Sequence, residues 1–441
     1  MKQEYFYHIS DAVQELCKAQ EQCTLYLSAE NSDFIRFNHA MVRQPGSVSQ
    51  QSISVRLIHD NKHVSSTVNL TGILERDKAK LVPMMERLRA QLKIVPADPH
   101  FLINTQVTST SHIDEPTTHS AMDMVDDIIE KCSGLDMVGI LANGSITKGF
   151  ANSFGQRNWF HTNNFNFDWS FVENTDKAVK TSYAGQQWNS QEFQKIVNTA
   201  KIKLEALRLP PVTLDPGAYR VALSPGALWE ILEVVAWGGF GLKSQKTKVS
   251  PLLKLVEKER ALSPMFSMRE NTKEGSSPSF QSDGFISPDS VSLVENGAYH
   301  SALVSPRSAK EFGVSTNGAS GYEMPHSIDV AAGDIPSSQM LKRLGTGIDI
   351  SNLWYLNFSD RSNCGITGMT RFATLWVEDG VIKGPINPMR FDDTVYSLLG
   401  ENLLGLTQER SFLLSASSYF ERSTGSARLP GALIKDMRFT L

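Results

Sequence analysis

Ten histidines and four cysteines are the side chains best able to grip a metal or attack a substrate. No HExxH occurs. His59 and His63 are four apart, a spacing that holds zinc when it lies on a helix. Here they flank His59-Asp60-Asn61-Lys62, which reads as a turn, so solvated imidazoles are expected. His112 and His119 fall in a stretch rich in Pro, Thr and Ser and read as loop residues. His300 and His326 have no ligand partner nearby in sequence. Ser145 and Lys148 fit an SxxK pattern, but its companion motifs are absent. No GxSxG elbow, Walker loop or GxGxxG fingerprint is present. Gly238-Gly239-Phe240-Gly241 follows a predicted helix instead of leading into one, so it reads as a helix-ending turn and not a phosphate cradle. Cys17, Cys23, Cys132 and Cys364 are too scattered for a disulfide framework and form no CxxC. Buried, inert thiols in a reducing cytoplasmic setting are expected, since a reactive one needs a cationic neighbour.

The elements that would position these groups can be read from periodicity. Phe6, Ile9, Val13 and Leu16 give an apolar helical face over about 5–20. Extended stretches follow over 24–29 and 33–43. Residues 52–58 and 63–70 form a predicted hairpin about the turn at 59–62. A helix is predicted over 76–93 through Leu81, Met84, Met85, Leu88 and Leu92, with Pro83 marking its first turn. Residues 94–117 read as a connection and 120–132 as a helix. Asn143-Gly144 is predicted to turn a hairpin, with strands continuing over 145–154 and 159–172 and a helix over 192–207. The Pro- and Gly-rich run from Leu209 to Gly217 marks a boundary. Beyond it, helices near 225–237 and 251–260 give way to strands, with hairpin turns at Asn296-Gly297 and Asp379-Gly380, a mobile loop at 271–282 and a short helix at 394–403. The expected fold class is α+β. An N-terminal α/β domain with a mostly antiparallel sheet (residues 1–210) precedes a C-terminal antiparallel β domain, barrel- or sandwich-like (211–441).

At 441 residues, 41% apolar and 20% charged, the chain can bury more than one core. Its 43 basic and 47 acidic side chains give a net charge of −4, which argues against general nucleic-acid binding. Apolar runs fall well short of the roughly 20 residues that span a bilayer, so no membrane helix is expected, and the first residues read as an amphipathic helix and not a secretion signal.

Several blocks in order resemble the TldD/PmbA family. They are Gly149-Phe150-Ala151-Asn152-Ser153-Phe154-Gly155; Ser292-Leu293-Val294-Glu295-Asn296-Gly297 with Ala309 and Gly313-Val314-Ser315-Thr316-Asn317-Gly318-Ala319; Asn363-Cys364-Gly365-Ile366-Thr367-Gly368 with the hairpin from Trp376 to Ile386; and the closing segment Ser423 to Gly431. The resemblance implies a two-part architecture and a peptidase system of the bacterial cytoplasm. It also implies a TldD-type subunit that binds zinc through HExxxH and a late cysteine, paired with a PmbA (TldE)-like subunit, on unfolded or extended peptides. Family labels include modulator of DNA gyrase. Laid on HExxxH, the first histidine falls at Leu232, the glutamate at Glu233 and the second histidine at Trp237, while the cysteine falls near Ser417, Ser418 or Tyr419. Only Glu233 survives. Zinc in a catalytic site needs about three protein ligands. Without an ion to lower the pKa of a bound water, a lone Glu has no activated nucleophile.

The resemblance therefore implies a non-catalytic PmbA/TldE-like subunit with no metal or other cofactor, pairing with a TldD-like zinc peptidase or with itself. Leu232 would join Leu228, Ile231 and Val235 in the core, and Trp237 would fill the space of the metal. Candidate peptide contacts are Asn152, Ser153, Gly155, Thr316, Asn317, Gly318, Asn363, Gly365, Thr367 and Gly368, which also suit plain turns. Two alternatives stand: a self-sufficient metallopeptidase with ligands from elsewhere, such as His300 or His326, and a stand-alone regulatory binding protein.

Overall fold

A computed structural model of the chain describes residues 2–115, 117–174 and 177–440. The first half runs α1 (Gln3–Leu16), β1 (Gln22–Asn38), β2 (Met41–His59), β3 (Lys62–Asn69), α2 (Leu74–Leu92), β4 (Thr110–Ile113), α3 (Ala121–Cys132), β5 (Met137–Asn152), β6 (Arg157–Asn174), β7 (Lys177–Gly185) and α4 (Ser190–Ala206). Its strands form one sheet in the order β3-β2-β1-β5-β6-β4, with β7 also on β6. Every pair is antiparallel except β4 with β6.

Alternation along the strands decides what the sheet buries. In β6, Phe165, Phe167, Trp169 and Phe171 all face one side and are covered by α3 and α4. Both helices start at side-chain caps, Ser120 in a capping box with Asp123 and Asn189 on Glu192 N–H. Toward the other edge, α1 and α2 pack Phe6, Ile9, Val13, Leu81, Met85 and Leu88 on Leu25, Leu27, Val55 and Leu57. The intervening residues of β6, Asn164, Asn166 and Asp168, point to the opposite face, where Asn164 lies across Gly144 of β5 from Ser32 of β1 and where Ser28 and Glu30 lie further along.

The second half runs β8 (Gly217–Leu223), α5 (Pro225–Ala236), α6 (Leu242–Lys246), α7 (Leu253–Val256), β9 (Met268–Glu270), β10 (Val291–Glu295), β11 (Ala298–Tyr299), α8 (Pro306–Phe312), β12 (Ser327–Val330), α9 (Met340–Leu344), β13 (Gly347–Asp360), β14 (Gly365–Glu378), β15 (Val381–Pro385), β16 (Arg390–Thr394), β17 (Leu403–Leu414) and β18 (Ser426–Phe439). The order is β11-β10-β9-β12-β18-β16-β14-β13-β8, and a further β18–β8 pairing closes β18, β16, β14, β13 and β8 into a ring. Two pairs are parallel, β12 with β18 and β13 with β8, so the sheet is mixed and not purely antiparallel. The class is α+β, as expected. Among the described residues no helix is long and apolar enough to cross a membrane.

The predicted hairpin turns at Asp60-Asn61, Asn296-Gly297 and Asp379-Gly380 form, each with positive φ at both residues. Asn143-Gly144 does not turn. It lies in mid-β5, with Gly144 opposite Ser32 on one side and Asn164 on the other. Glycine is needed there for close approach, because a Cβ would lie 2.2 Å from the Asn31 carbonyl oxygen. Pro83 is interior to α2 instead of in its first turn. It sits on the exposed side, where water can serve the carbonyl it leaves free. The segment 271–282 is tied down: Asn271 Nδ2 donates to Asp329 Oδ2 (2.6 Å) and Ser277 Oγ to the Thr424 carbonyl (2.9 Å). A Gly144→Ala variant is expected to lose more than about 1 kcal/mol of unfolding free energy, measured by urea denaturation, because φ is +142° and the strand-to-strand approach would have to open.

Candidate functional site

The helix that carries the Glu233 position is built for rotation in one register. Ser224 caps α5 by accepting Ala227 N–H (3.1 Å) and donates to the Ser351 carbonyl (2.6 Å), and Pro225 opens the first turn. Leu228, Ile231, Leu232 and Val235 form a fully buried stripe packed with Val221, Ile350 and Leu353. Leu232 thus sits in hydrocarbon, as the sequence implied.

The opposite stripe, Glu230, Glu233, Val234 and Trp237, lines a cleft of about 320 Å³ whose other wall is Leu353, Trp354, Tyr355 and Leu356 of β13. A bulge sets Tyr355 and Leu356 against the single residue Gly368 of β14, and Tyr355 takes φ +58°. The bulge turns the aromatic rings outward: Trp354 is 50% and Tyr355 80% exposed. Trp237 was expected to fill the metal's space. It is instead 60% exposed, because it is the C-cap where the helix unwinds toward Gly238 (φ +82°). Arg361 holds this end by donating to the Trp237 carbonyl (2.9 Å), and Arg371 lies 4.1 Å over the Trp354 ring.

Glu230 accepts the Leu353 N–H (2.5 Å), yet burial pushes its carboxyl up to about 7, with Glu233 beside it adding to the effect and Lys180 opposing it. Glu233 opens onto the cleft, and the protein mass around it also raises its carboxyl. Among the described residues Glu233 has no hydrogen-bond or ion-pair partner in the structure.

A zinc ion does not fit these residues. Leucine and tryptophan at 232 and 237 offer no lone pair in the plane of a donor set. Among the described residues no three His, Cys, Asp or Glu side chains are grouped to hold a metal. His300 pairs with Glu295 (3.3 Å) and His326 contacts Ser320 (3.3 Å), in separate places. Ser145 and Lys148 share β5 but not a face, and Lys148 is engaged by Glu421 (2.6 Å).

The late segment around Ser417 folds onto the polar face of the N-terminal sheet. Glu421 meets Lys148 and Ser28. Arg422, 6% exposed, donates to Ser32 Oγ (3.2 Å) and to the Asn164 carbonyl (3.1 Å) and side chain, and burial lowers its pKa to about 10. A second cavity, about 40 Å³, lies between Asn164, Asn166, Asp168 and residues 414–418. Asp168 pairs with Lys180 (3.4 Å), the cation that acts on Glu230, so the two hollows adjoin. Sequence reasoning passed over Arg422 and its polar floor. The signal was the alternation of polar residues at 28, 30, 32 and at 164, 166, 168.

The ten candidate contacts are not brought together. Asn152 is buried, and its Oδ1 accepts Phe154 and Gln156 N–H (3.0 Å each). Ser153 Oγ accepts Cys23 N–H (3.1 Å), and Gly155 supplies φ +95°. Thr316 donates to the Val304 carbonyl (2.6 Å), Asn317 bridges Val304 N–H and the Ala302 carbonyl (2.8 Å each), and Gly318 packs on Ile286. Asn363 accepts from Lys254 (2.5 Å), Gly365 packs on Asp360, Thr367 donates to the Phe391 carbonyl (3.0 Å), and Gly368 packs on the Phe391 ring. None of the ten lines either hollow.

The structure is a two-sheet α+β protein whose α5 turns two carboxylates, Glu230 and Glu233, and no imidazole to an open cleft. A model of the family described as the PmbA/TldA metallopeptidase C-terminal domain matches residues 216–441, and the chain belongs to this PmbA/TldD family. A search of curated proteins finds no match. The fold is similar to that of a protein described as a modulator of a DNA gyrase from Thermotoga maritima (15% identity, TM-score 0.78, 99% of this chain and 100% of that one). It is similar also to TldE from Thermococcus kodakarensis (13%, 0.78, 99% and 100%) and to a protein described as a modulator of DNA gyrase from Bacteroides thetaiotaomicron (15%, 0.71, 99% and 98%).

A carboxyl with a raised pKa binds its proton more tightly in the folded chain, so stability falls as pH rises through the window from 4.5 to about 7. Glu230→Gln, which keeps an acceptor for Leu353 N–H, is expected to flatten that fall. Thermal unfolding should show the variant level with the parent near the lower end of the window and more stable by about 3 kcal/mol above its upper end.

Proposed function

We propose that this chain is a non-catalytic, peptide-binding subunit of a TldD-type zinc metallopeptidase system that processes peptides in the cytoplasm. The observation that carries the reading is the open cleft on α5: the acid of HExxxH faces it, both imidazole positions are hydrocarbon or indole, and three exposed aromatic rings wall it. No water-activating step is available to Glu233 alone. What the cleft offers is contact. Trp237, Trp354 and Tyr355 give stacking surface, and the bulged backbone of β13 at Tyr355 and Leu356 leaves groups that an extended chain can meet. In this reading the partner is a TldD-like zinc peptidase subunit, or a second copy of this chain, and residues 1–210 and 211–441 are its two domains. The ten candidate residues, six outside the strands and four within β5 and β14, act as supports for the two halves. A role at DNA gyrase would be indirect, through peptide turnover, since a net charge of −4 argues against general phosphate-backbone binding.

An unstructured peptide titrated into the purified chain is expected to change the fluorescence of Trp237 and Trp354. Replacing either with Ala should weaken binding about 3- to 10-fold, in line with ~1 kcal/mol per aromatic contact. No cleavage should accompany binding, with or without chelator. Chelator-sensitive cleavage by the chain alone would overturn the reading.

A further inference from the structure

Two carboxylates and three aromatic rings meet in the cleft on α5. Glu230 and Glu233 are three residues apart on the helix and share one face. Both line the hollow of about 320 Å³ together with Trp237, Trp354 and Tyr355, and among the described residues no basic side chain lines it. The nearest cations stand outside and are engaged there. Lys180 pairs with Asp168 (3.4 Å). Arg361 donates to the carbonyls of Trp237 (2.9 Å) and Val249 (3.1 Å) and lies 4.7 Å over the Phe358 ring. Arg371 lies over the Trp354 ring (4.1 Å) and the Phe372 ring (5.3 Å). Among the described residues neither Glu230 nor Glu233 has a cation in contact: Glu230 accepts the neutral N–H of Leu353, and Glu233 is exposed and unpaired. Burial raises both carboxyls, and Glu233 adds to the rise at Glu230, so a further negative charge in the cleft is disfavoured and a positive one is drawn in. The rings favour the same sign of charge, because the face of an indole or phenol ring is negative. Two of them already attract guanidinium groups from outside the hollow, Trp237 at 5.7 Å and Trp354 at 4.1 Å. Tyr355 is the most exposed of the three and among the described residues has no such partner.

We propose that the cleft selects a positively charged nitrogen of an extended peptide, its α-ammonium or a lysine side chain, which donates to Glu233 while the carbon stem behind it lies against the aromatic rings. This specificity rests on the peptide-binding reading above and adds the charge of the group that is bound. An ammonium suits the cleft on three counts. It makes a charge-assisted hydrogen bond to a carboxylate that has no other partner. It meets ring faces whose quadrupole attracts it. Its methylenes cover apolar surface of Trp237, Val234 and Leu356 while the charged end stays at the mouth beside Glu233. A neutral side chain gains only the last of these, and a carboxylate is repelled by both acids.

The test titrates the full chain with alanine-rich hexapeptides, all amidated at the C-terminus, and reads tryptophan fluorescence. One peptide has a free α-amine. Four others are acetylated and carry alanine, norleucine, lysine or glutamate at the third position. The free-amine peptide, the lysine peptide or both should bind at least about tenfold tighter than the acetylated alanine and norleucine peptides, with the glutamate peptide weakest. Whichever cationic peptide gains identifies the nitrogen that the cleft takes. Glu233→Gln, at an exposed position, should cut the gain to about twofold or less, and raising salt to about 0.5 M should shrink it in the parent chain. Equal binding of cationic and neutral peptides, tightest binding of the glutamate peptide, or a full gain retained in Glu233→Gln would overturn the proposal and leave the peptide-binding reading standing. Binding of none of the five would overturn both.

Discussion

Burial of Leu228, Ile231, Leu232 and Val235 on one stripe of α5 fixes the rotation of that helix about its axis. Each fully buried aliphatic side chain contributes roughly 1.5–3 kcal/mol, so the four together outweigh any single polar contact on the other side. With that stripe sunk, residues 230, 233, 234 and 237 turn to the cleft. An imidazole at 232 in this packing would leave a polar ring in hydrocarbon unless a metal or partner met it. The register of the helix is therefore held by apolar contacts, with Glu230 and Glu233 turned to the cleft.

A second constraint joins the two halves. The polar face of the first sheet would be costly to bury unless paired, and the segment 415–425 pairs it: Glu421 with Lys148, and Arg422 with Ser32 and Asn164. Lys180, bridging Asp168 and the field of Glu230, ties that floor to the cleft on α5. The cleft thus depends on both sheets, through charges that neither half carries alone.

Much of this was legible in the chain. The 3.6-residue pattern located α1, α2, α3, α4 and α5, and Asn-Gly or Asp-Gly located two hairpin turns, because local propensity and tertiary structure agree there. Asn143-Gly144 misled because the same dipeptide serves close strand approach, a requirement set by β1, which is more than a hundred residues away. The position of Glu233 on α5 was pointed to by the family resemblance. The far wall of its cleft was not, since the bulge at Tyr355 and Leu356 depends on register against β14. The segments at 152–155, 316–319 and 363–368 were visible for their Gly, Asn, Ser and Thr content, and Asn152, Thr316 and Asn317 spend their hydrogen bonds on neighbouring backbone.

Whether the α5 site grips an ion is tested most directly by metal analysis of the purified chain after incubation with excess zinc and exhaustive dialysis. Zinc is expected at the level of the dialysis buffer, unchanged by Glu233→Gln. One zinc retained per chain in the parent, and lost in Glu233→Gln, would contradict that expectation.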